Sequence, residues 1–180
     1  MENTYLSSKE NLNSLSDWLI FRYIYLYLHS QTIIYSFNIK KTTMKISKIE
    51  HLGIAVQSID EVLPYFENVL GLKCYKTEVV EDQKVKTAFL KVGEVKLELL
   101  EPTCPESTIQ KWLDKGNKGI HHMAFCIEDG VANALAEVSE KGIRLIDEAP
   151  RKGADGLQIA FLHPKSTVGI LTELCEDPNK

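Results

Sequence analysis

The chain has 180 residues, a formal net charge of −4 and a pI near 5.8, which gives room for one domain, or two small ones, with an adequate core. That charge balance offers no reason to expect nucleic acid or an anionic membrane surface as a partner. Cys74, Cys104, Cys126 and Cys175 are widely spaced with no C-x-x-C pair, which argues against a zinc ribbon and fits reduced thiols in a cytoplasmic compartment.

Residues 1–43 form an N-terminal extension unlike the rest, with no Gly or Pro but five of the seven tyrosines. The run "WLIFRYIYLYLHSQTIIYSF" is apolar, yet Arg22, His29, Ser30 and Gln31 interrupt it, whereas a spanning helix takes about 20 mainly apolar residues. No secretory cleavage site is visible, and one Arg against three acids does not suit a mitochondrial presequence. The segment reads as a membrane-associated helix, an extra packed helix, or upstream sequence outside the native protein. The third reading is favoured, because Met44 opens "MKISKIEHLGIAV", a natural start that runs straight into a strand.

From residue 44 to 180 the chain repeats itself. "HLGIAV" at 51–56 resembles "HMAFCI" at 122–127, an offset of 71. After the first, Ser58 or Asp60 caps a helix whose Val62, Leu63, Phe66, Val69 and Leu70 share a face, and Gly71 stops it. After the second, Asp129 caps a helix carrying Val131, Leu135 and Val138, and Gly142 stops it. Ala88-Phe89-Leu90 answers Ala160-Phe161-Leu162 at an offset of 72, and Glu98-Leu99-Leu100 answers Glu173-Leu174-Cys175 at 75. The chain therefore reads as strand, helix and about three strands, twice, over 47–102 and 119–176. Between them "CPESTIQKWLDKGNKG" reads as a turn, a short helix bearing Ile109, Trp112 and Leu113, and a Gly-rich exit.

The repeat pairs His122, not His121, with His51. Strand alternation puts His51, Gly53 and Ala55 on one face and His122, Ala124 and Cys126 on the other strand's equivalent face. His121 should then point away, as a packing histidine. Glu98 and Glu173 sit in runs that read as buried strand, where a carboxylate needs a partner or a metal. Two histidines and two glutamates at matched positions suggest one shared His₂Glu₂ site. Such mixed donors suit a divalent ion, whether cobalt, manganese, nickel, iron or zinc.

With those residues in place, "IEHLGIAVQSIDEVLPYFENVLGL", "VKLELLEPT", "STIQKWLDKGNKGIHHMAF" and "FLHPKSTVGILTEL" resemble the vicinal oxygen chelate superfamily, which includes glyoxalases, bleomycin-resistance proteins and dioxygenases. The run from Ser107 to His122, with His163-Pro164-Lys165, resembles its acyl-CoA epimerase branch. The resemblance implies an α+β fold in which two βαβββ modules form an open, cupped mixed sheet around a metal, usually in a homodimer. It places the metal ligands on His51, Glu98, His122 and Glu173, with cobalt favoured. It also implies interconversion of (2R)- and (2S)-methylmalonyl-CoA by proton abstraction at C2 through a stabilised enolate.

Glu173 is the first candidate for the base, and Glu98 or a metal-held water for the opposite face. Lys165 is a candidate contact for the substrate carboxylate or a CoA phosphate. Some relatives carry a proposed catalytic glutamate where this chain has Thr87, which cannot accept a proton at neutral pH. A lactoylglutathione lyase-type enzyme would use the same metal geometry, and a ligand-sequestering binding protein could dispense with it. No nucleic-acid partner and no stable membrane association of residues 44–180 are expected.

Overall fold

A computed structural model describes residues 44–177 together with Arg22 and Tyr23. The chain divides into two units, Met1–Thr42 and Thr43–Lys180. Of the first, only Arg22 and Tyr23 are described, both helical and exposed; the expectations for residues 1–43 otherwise lie outside the described residues.

The second unit runs β1 (Ile46–Ala55), α1 (Ile59–Pro64), β2 (Cys74–Val80), β3 (Val85–Val92), β4 (Val95–Pro102), α2 (Thr108–Leu113), β5 (Gly119–Ile127), α3 (Val131–Glu140), β6 (Arg151–Lys152), β7 (Gln158–Leu162) and β8 (Leu171–Glu176). All eight strands join one sheet in the order β2-β3-β4-β1-β5-β8-β7-β6. β1 and β5 pair antiparallel at its centre, while β1 with β4 and β5 with β8 are parallel. The order mirrors itself about the β1–β5 seam, so each βαβββ module supplies one half of a mixed sheet that curls into an open cup.

One face of the sheet is covered by α1 and α3. Ile59 packs with Ala88, Leu90 and Leu99, and the second half repeats this with Val131, Leu135, Val138, Ala160, Leu162 and Leu174. Full burial of such an aliphatic side chain stabilises by about 1.5–3 kcal/mol. Both helix starts are fastened by a glutamate from the last strand of the same module. Glu101 Oε2 accepts from Ile59 N at 2.6 Å, and Glu176 Oε2 accepts from Val131 N at 3.1 Å.

Two helix expectations need correction. Val69 and Leu70 do not share the buried face of α1 but are 69% and 49% exposed. Pro64 lies inside that helix, and Tyr65–Val69 follow as a π-helical turn. A proline removes one ladder hydrogen bond, and the wider turn rotates later residues off the 3.6-residue face. Nor does Asp129 cap α3: Gly130, at φ 89°, takes that place, and the leading amide goes to Glu176. Ser58, rather than Asp60, caps α1, its hydroxyl accepting from Glu61 N at 3.3 Å. All four cysteines are free thiols. Among the described residues no helix is long and apolar enough to cross a membrane.

Candidate metal and active site

The face opposite α1 and α3 carries the polar residues, and α2 borders it where Ile109 packs with Ala55, Val85 and Leu100. His51 stands on β1, Glu98 on β4, His122 on β5 and Glu173 on β8. The register repeats: Glu98 lies beside Gly53, two residues after His51, and Glu173 lies beside Ala124, two residues after His122. Small side chains at those places leave room for the imidazoles. A methyl group on Gly53 would collide with the His122 ring.

The donors converge. His51 Nε2 and His122 Nε2 are 3.0 Å apart. Glu98 Oε2 lies 3.4 Å from His51 Nε2 and 3.7 Å from His122 Nε2, and Glu173 Oε2 reverses those distances at 3.7 and 3.4 Å. His51, Glu98 and His122 offer ligand atoms that all lie within 4.8 Å of one another. Donors bound at about 2.1 Å to one ion would stand about 3.0–3.4 Å from their neighbours, so the observed spacing fits a common cation.

Burial sharpens the point, because His51, Glu98, His122 and Glu173 are only 6%, 4%, 4% and 3% exposed. Two buried carboxylates facing two imidazole nitrogens need a positive charge between them. Burial pushes the Glu98 carboxyl up to about 7, opposed by His51 and reinforced by Glu173. Burial alone would lower His51, but its contacts with Glu173 and Glu50 push it up to about 10. His122 falls well below its ordinary value through burial and repulsion from His51 and His121.

The expectation that His121 points away from the site does not hold. Its Nδ1 is 3.0 Å from His122 Nδ1, and it lines the same cavity. The β1–β5 ladder explains this. Pairing passes from Gly53↔His122 to Ile54↔Ile120, and from Ile49↔Phe125 to His51↔Ala124. His121 and Glu50 are therefore the extra residues of two β-bulges, and a bulge re-aims side chains that strict alternation would put on opposite faces. Sequence reasoning missed Glu50, whose Oε2 is 2.7 Å from His51 Nδ1. The offset of 71 that links the histidines also links Glu50 with His121, and that was the available signal.

A cavity of about 520 Å³ opens over the cluster and is bordered by Thr87, Phe89, Leu100, Leu157, Arg151 and Phe161 among others. Such a volume suits a small organic substrate. Thr87 is fully buried, its hydroxyl donating to the Glu78 carbonyl at 3.4 Å. The Arg151 guanidinium lies over the Phe161 ring at 5.5 Å, and that ring meets His122 edge-on at 5.4 Å. Lys165 is exposed on the 3₁₀ turn Pro164–Ser166 and does not border the cavity.

Fold and donor set together define a class, and sequence comparison agrees. Residues 50–161 match the glyoxalase/bleomycin resistance protein/dioxygenase superfamily, and the chain belongs to that superfamily. Within it the chain is similar to methylmalonyl-CoA epimerases. The mitochondrial methylmalonyl-CoA epimerase of Dictyostelium discoideum is 35% identical over 132 residues, covering 73% of this chain and 79% of that protein. The structure of a Streptomyces coelicolor methylmalonyl-CoA epimerase in complex with 2-nitronate-propionyl-CoA is 38% identical, covers 74% of this chain and 96% of that one, and superposes with a TM-score of 0.71. The Bacillus subtilis protein named "Uncharacterized protein YqjC" is 45% identical over 130 residues, covering 72% of this chain and 92% of that protein.

Proposed function

We propose that the protein is a metal-dependent epimerase that interconverts (2R)- and (2S)-methylmalonyl-CoA. The observation that carries this reading is the meeting of one imidazole and one carboxylate from each module at the floor of a substrate-sized cavity. The relatives named as methylmalonyl-CoA epimerases supply the substrate.

His51, Glu98, His122 and Glu173 would hold one divalent ion per chain, with cobalt preferred. A bound divalent ion supplies Lewis-acid stabilisation of the negative charge that develops as C2 loses its proton, worth several kcal/mol. Glu173 takes the C2 proton, and the C–H electron pair delocalises toward the thioester carbonyl. Return of a proton to the opposite face of C2 inverts the centre. Glu98 is suited to that step, because it flanks the imidazole pair from the other module. A positioned base contributes about 10²–10⁴-fold. Thr87, with no proton-accepting group at neutral pH, leaves this exchange to the two glutamates.

Arg151 borders the cavity and offers a guanidinium to the substrate carboxylate. Lys165 lies outside it, and its exposed ammonium would suit a phosphate of CoA. The exposed apolar run of Tyr65, Val69 and Leu70 supports a homodimer, and the four free thiols support a cytoplasmic setting.

The test is hydrogen–deuterium exchange at C2 of methylmalonyl-CoA in D₂O, with metal-stripped and cobalt-reconstituted protein. Exchange should appear only after reconstitution. Absence of exchange in a protein that has taken up one cobalt per chain would overturn the assignment of substrate and reaction.

A further inference from the structure

Behind His51 stands a run of charged groups that the proposed proton transfers leave unused. We propose that Glu50, held in place by Lys96, is a positioning residue that fixes the His51 imidazole as a metal ligand, and that Asp155 fastens this pair to the turn before β7. The inference rests on the metal-centre reading above.

The geometry is continuous. Asp155 Oδ2 is 2.6 Å from Lys96 Nζ, Lys96 Nζ is 2.7 Å from Glu50 Oε1, and Glu50 Oε2 is 2.7 Å from His51 Nδ1. Glu50 is 5% exposed, so its charge is tolerated only because both oxygens have strong donors. With one oxygen tied to Lys96 and the other to His51, the carboxylate cannot turn without breaking a charge-assisted bond. Nδ1 of His51 is then the donor, and the lone pair on Nε2 faces His122, Glu98 and Glu173. A carboxylate behind a ligating imidazole sets its tautomer and raises its basicity.

The backbone prepares this arrangement. The bulge at Glu50 turns its side chain to the same side as that of His51, and Lys96 is the direct register partner of His51 across the parallel β1–β4 pair. Among the described residues nothing similar backs His122, whose Nδ1 meets the imidazole of His121 instead of an anion. The two halves therefore present unequal ligands: one imidazole with an anionic support, and one with a neutral neighbour.

Asp155 comes from the second module. It holds a left-handed backbone at φ 56° and ψ 20°, and its amide donates to Glu78 Oε1 at 2.7 Å. Its other carboxylate oxygen accepts from Lys76 Nζ at 2.9 Å. A non-glycine residue in that conformation costs about 1–2 kcal/mol, which these two contacts and the one with Lys96 offset. Ala154, Asp155 and Leu157 border the cavity, so the lip of the substrate site and the support of a metal ligand share Lys96.

The test uses full-length protein, Co²⁺ titration by calorimetry, and the visible absorption of bound Co²⁺. Lys96→Met should weaken Co²⁺ binding by roughly ten- to hundredfold and shift the absorption bands, the usual range for losing a supporting partner of a ligand. Glu50→Gln should do the same, whereas Lys96→Arg should restore the wild-type bands. A general loss of stability would not move a ligand-field spectrum, so the bands separate positioning from scaffolding. Wild-type affinity and unchanged bands in both Lys96→Met and Glu50→Gln would overturn the inference while leaving the metal centre intact. A wild-type protein that takes up no Co²⁺ would overturn both. Should Lys96→Met fail to fold, Glu50→Gln decides the matter by the same two readings.

Discussion

Glu101 and Glu176 perform one task in two places, each accepting the leading amide of its own module's helix from the end of that module's last strand. The pair ties helix to sheet through one charged hydrogen bond at a helix N-terminus, where a negative charge is also favoured by the helix dipole. Replacing either residue by alanine should lower stability by about 1 kcal/mol, the usual loss for an N-terminal cap. Urea denaturation of the metal-free protein measures this, and a loss confined to one module would show that the two anchors are not equivalent.

Gly53 should tolerate no side chain. A Cβ there occupies the space of the His122 imidazole, so Gly53→Ala should displace that ring from the cluster. Overpacking of this kind costs about 1–3 kcal/mol, and cobalt uptake should fall with it. A variant that binds cobalt as tightly as the wild type would show that His122 is free to move aside.

Glu173→Gln should abolish deuterium exchange at C2 while most of the metal stays bound, since three donors remain. Exchange at the wild-type rate would remove Glu173 from proton transfer.

Thr87→Ala should reduce turnover by less than roughly tenfold, well below the 10²–10⁴-fold contribution of a positioned base. The buried hydroxyl donates to the Glu78 backbone carbonyl, so its loss touches packing more than chemistry. A larger fall in kcat would assign it a catalytic contact.

Asp155 gives a pH signature. Burial would raise its pKa, but hydrogen bonds from Lys96 and Lys76 outweigh burial and hold it below the ordinary 3.8. A carboxylate lowered in the folded state adds stability that is fully present above its unfolded pKa and lost as pH falls through the folded value. The stability gap between wild type and Asp155→Asn should therefore be constant above about pH 5 and close progressively below about pH 4. A gap that widens on acidification would contradict the lysine pairing.

Much of this architecture was legible in the sequence. The offsets linking His51 with His122 and Glu98 with Glu173 marked the repeat, and the structure shows a strand, a helix and three further strands in each half, from Ile46 to Pro102 and from Gly119 to Glu176. Period-two alternation also predicted that Gly53 lies on the histidine face, where a Cβ would meet the His122 ring, because a regular strand leaves no choice. It failed at Glu50 and His121, where one unpaired residue in the ladder changes the side to which a chain points. A bulge is decided by how two distant strands fit, and neither strand announces it alone. Pro64 was a visible warning that α1 would not keep its period, and it accounts for the exposure of Val69 and Leu70. The contact of Asp155 with Lys76 and Lys96 spans 79 and 59 residues, and no local pattern encodes a bond of that reach.

The antiparallel seam between β1 and β5 splits the donor set evenly, one imidazole and one carboxylate to each side. Chelation by four groups gains most of its strength from the high effective concentration of the last two once the first two are engaged. An isolated module would keep half the donors but far less than half the binding free energy. Prising the seam open would thus release an ion held by all four groups before either βαβββ half had lost its own hydrophobic packing.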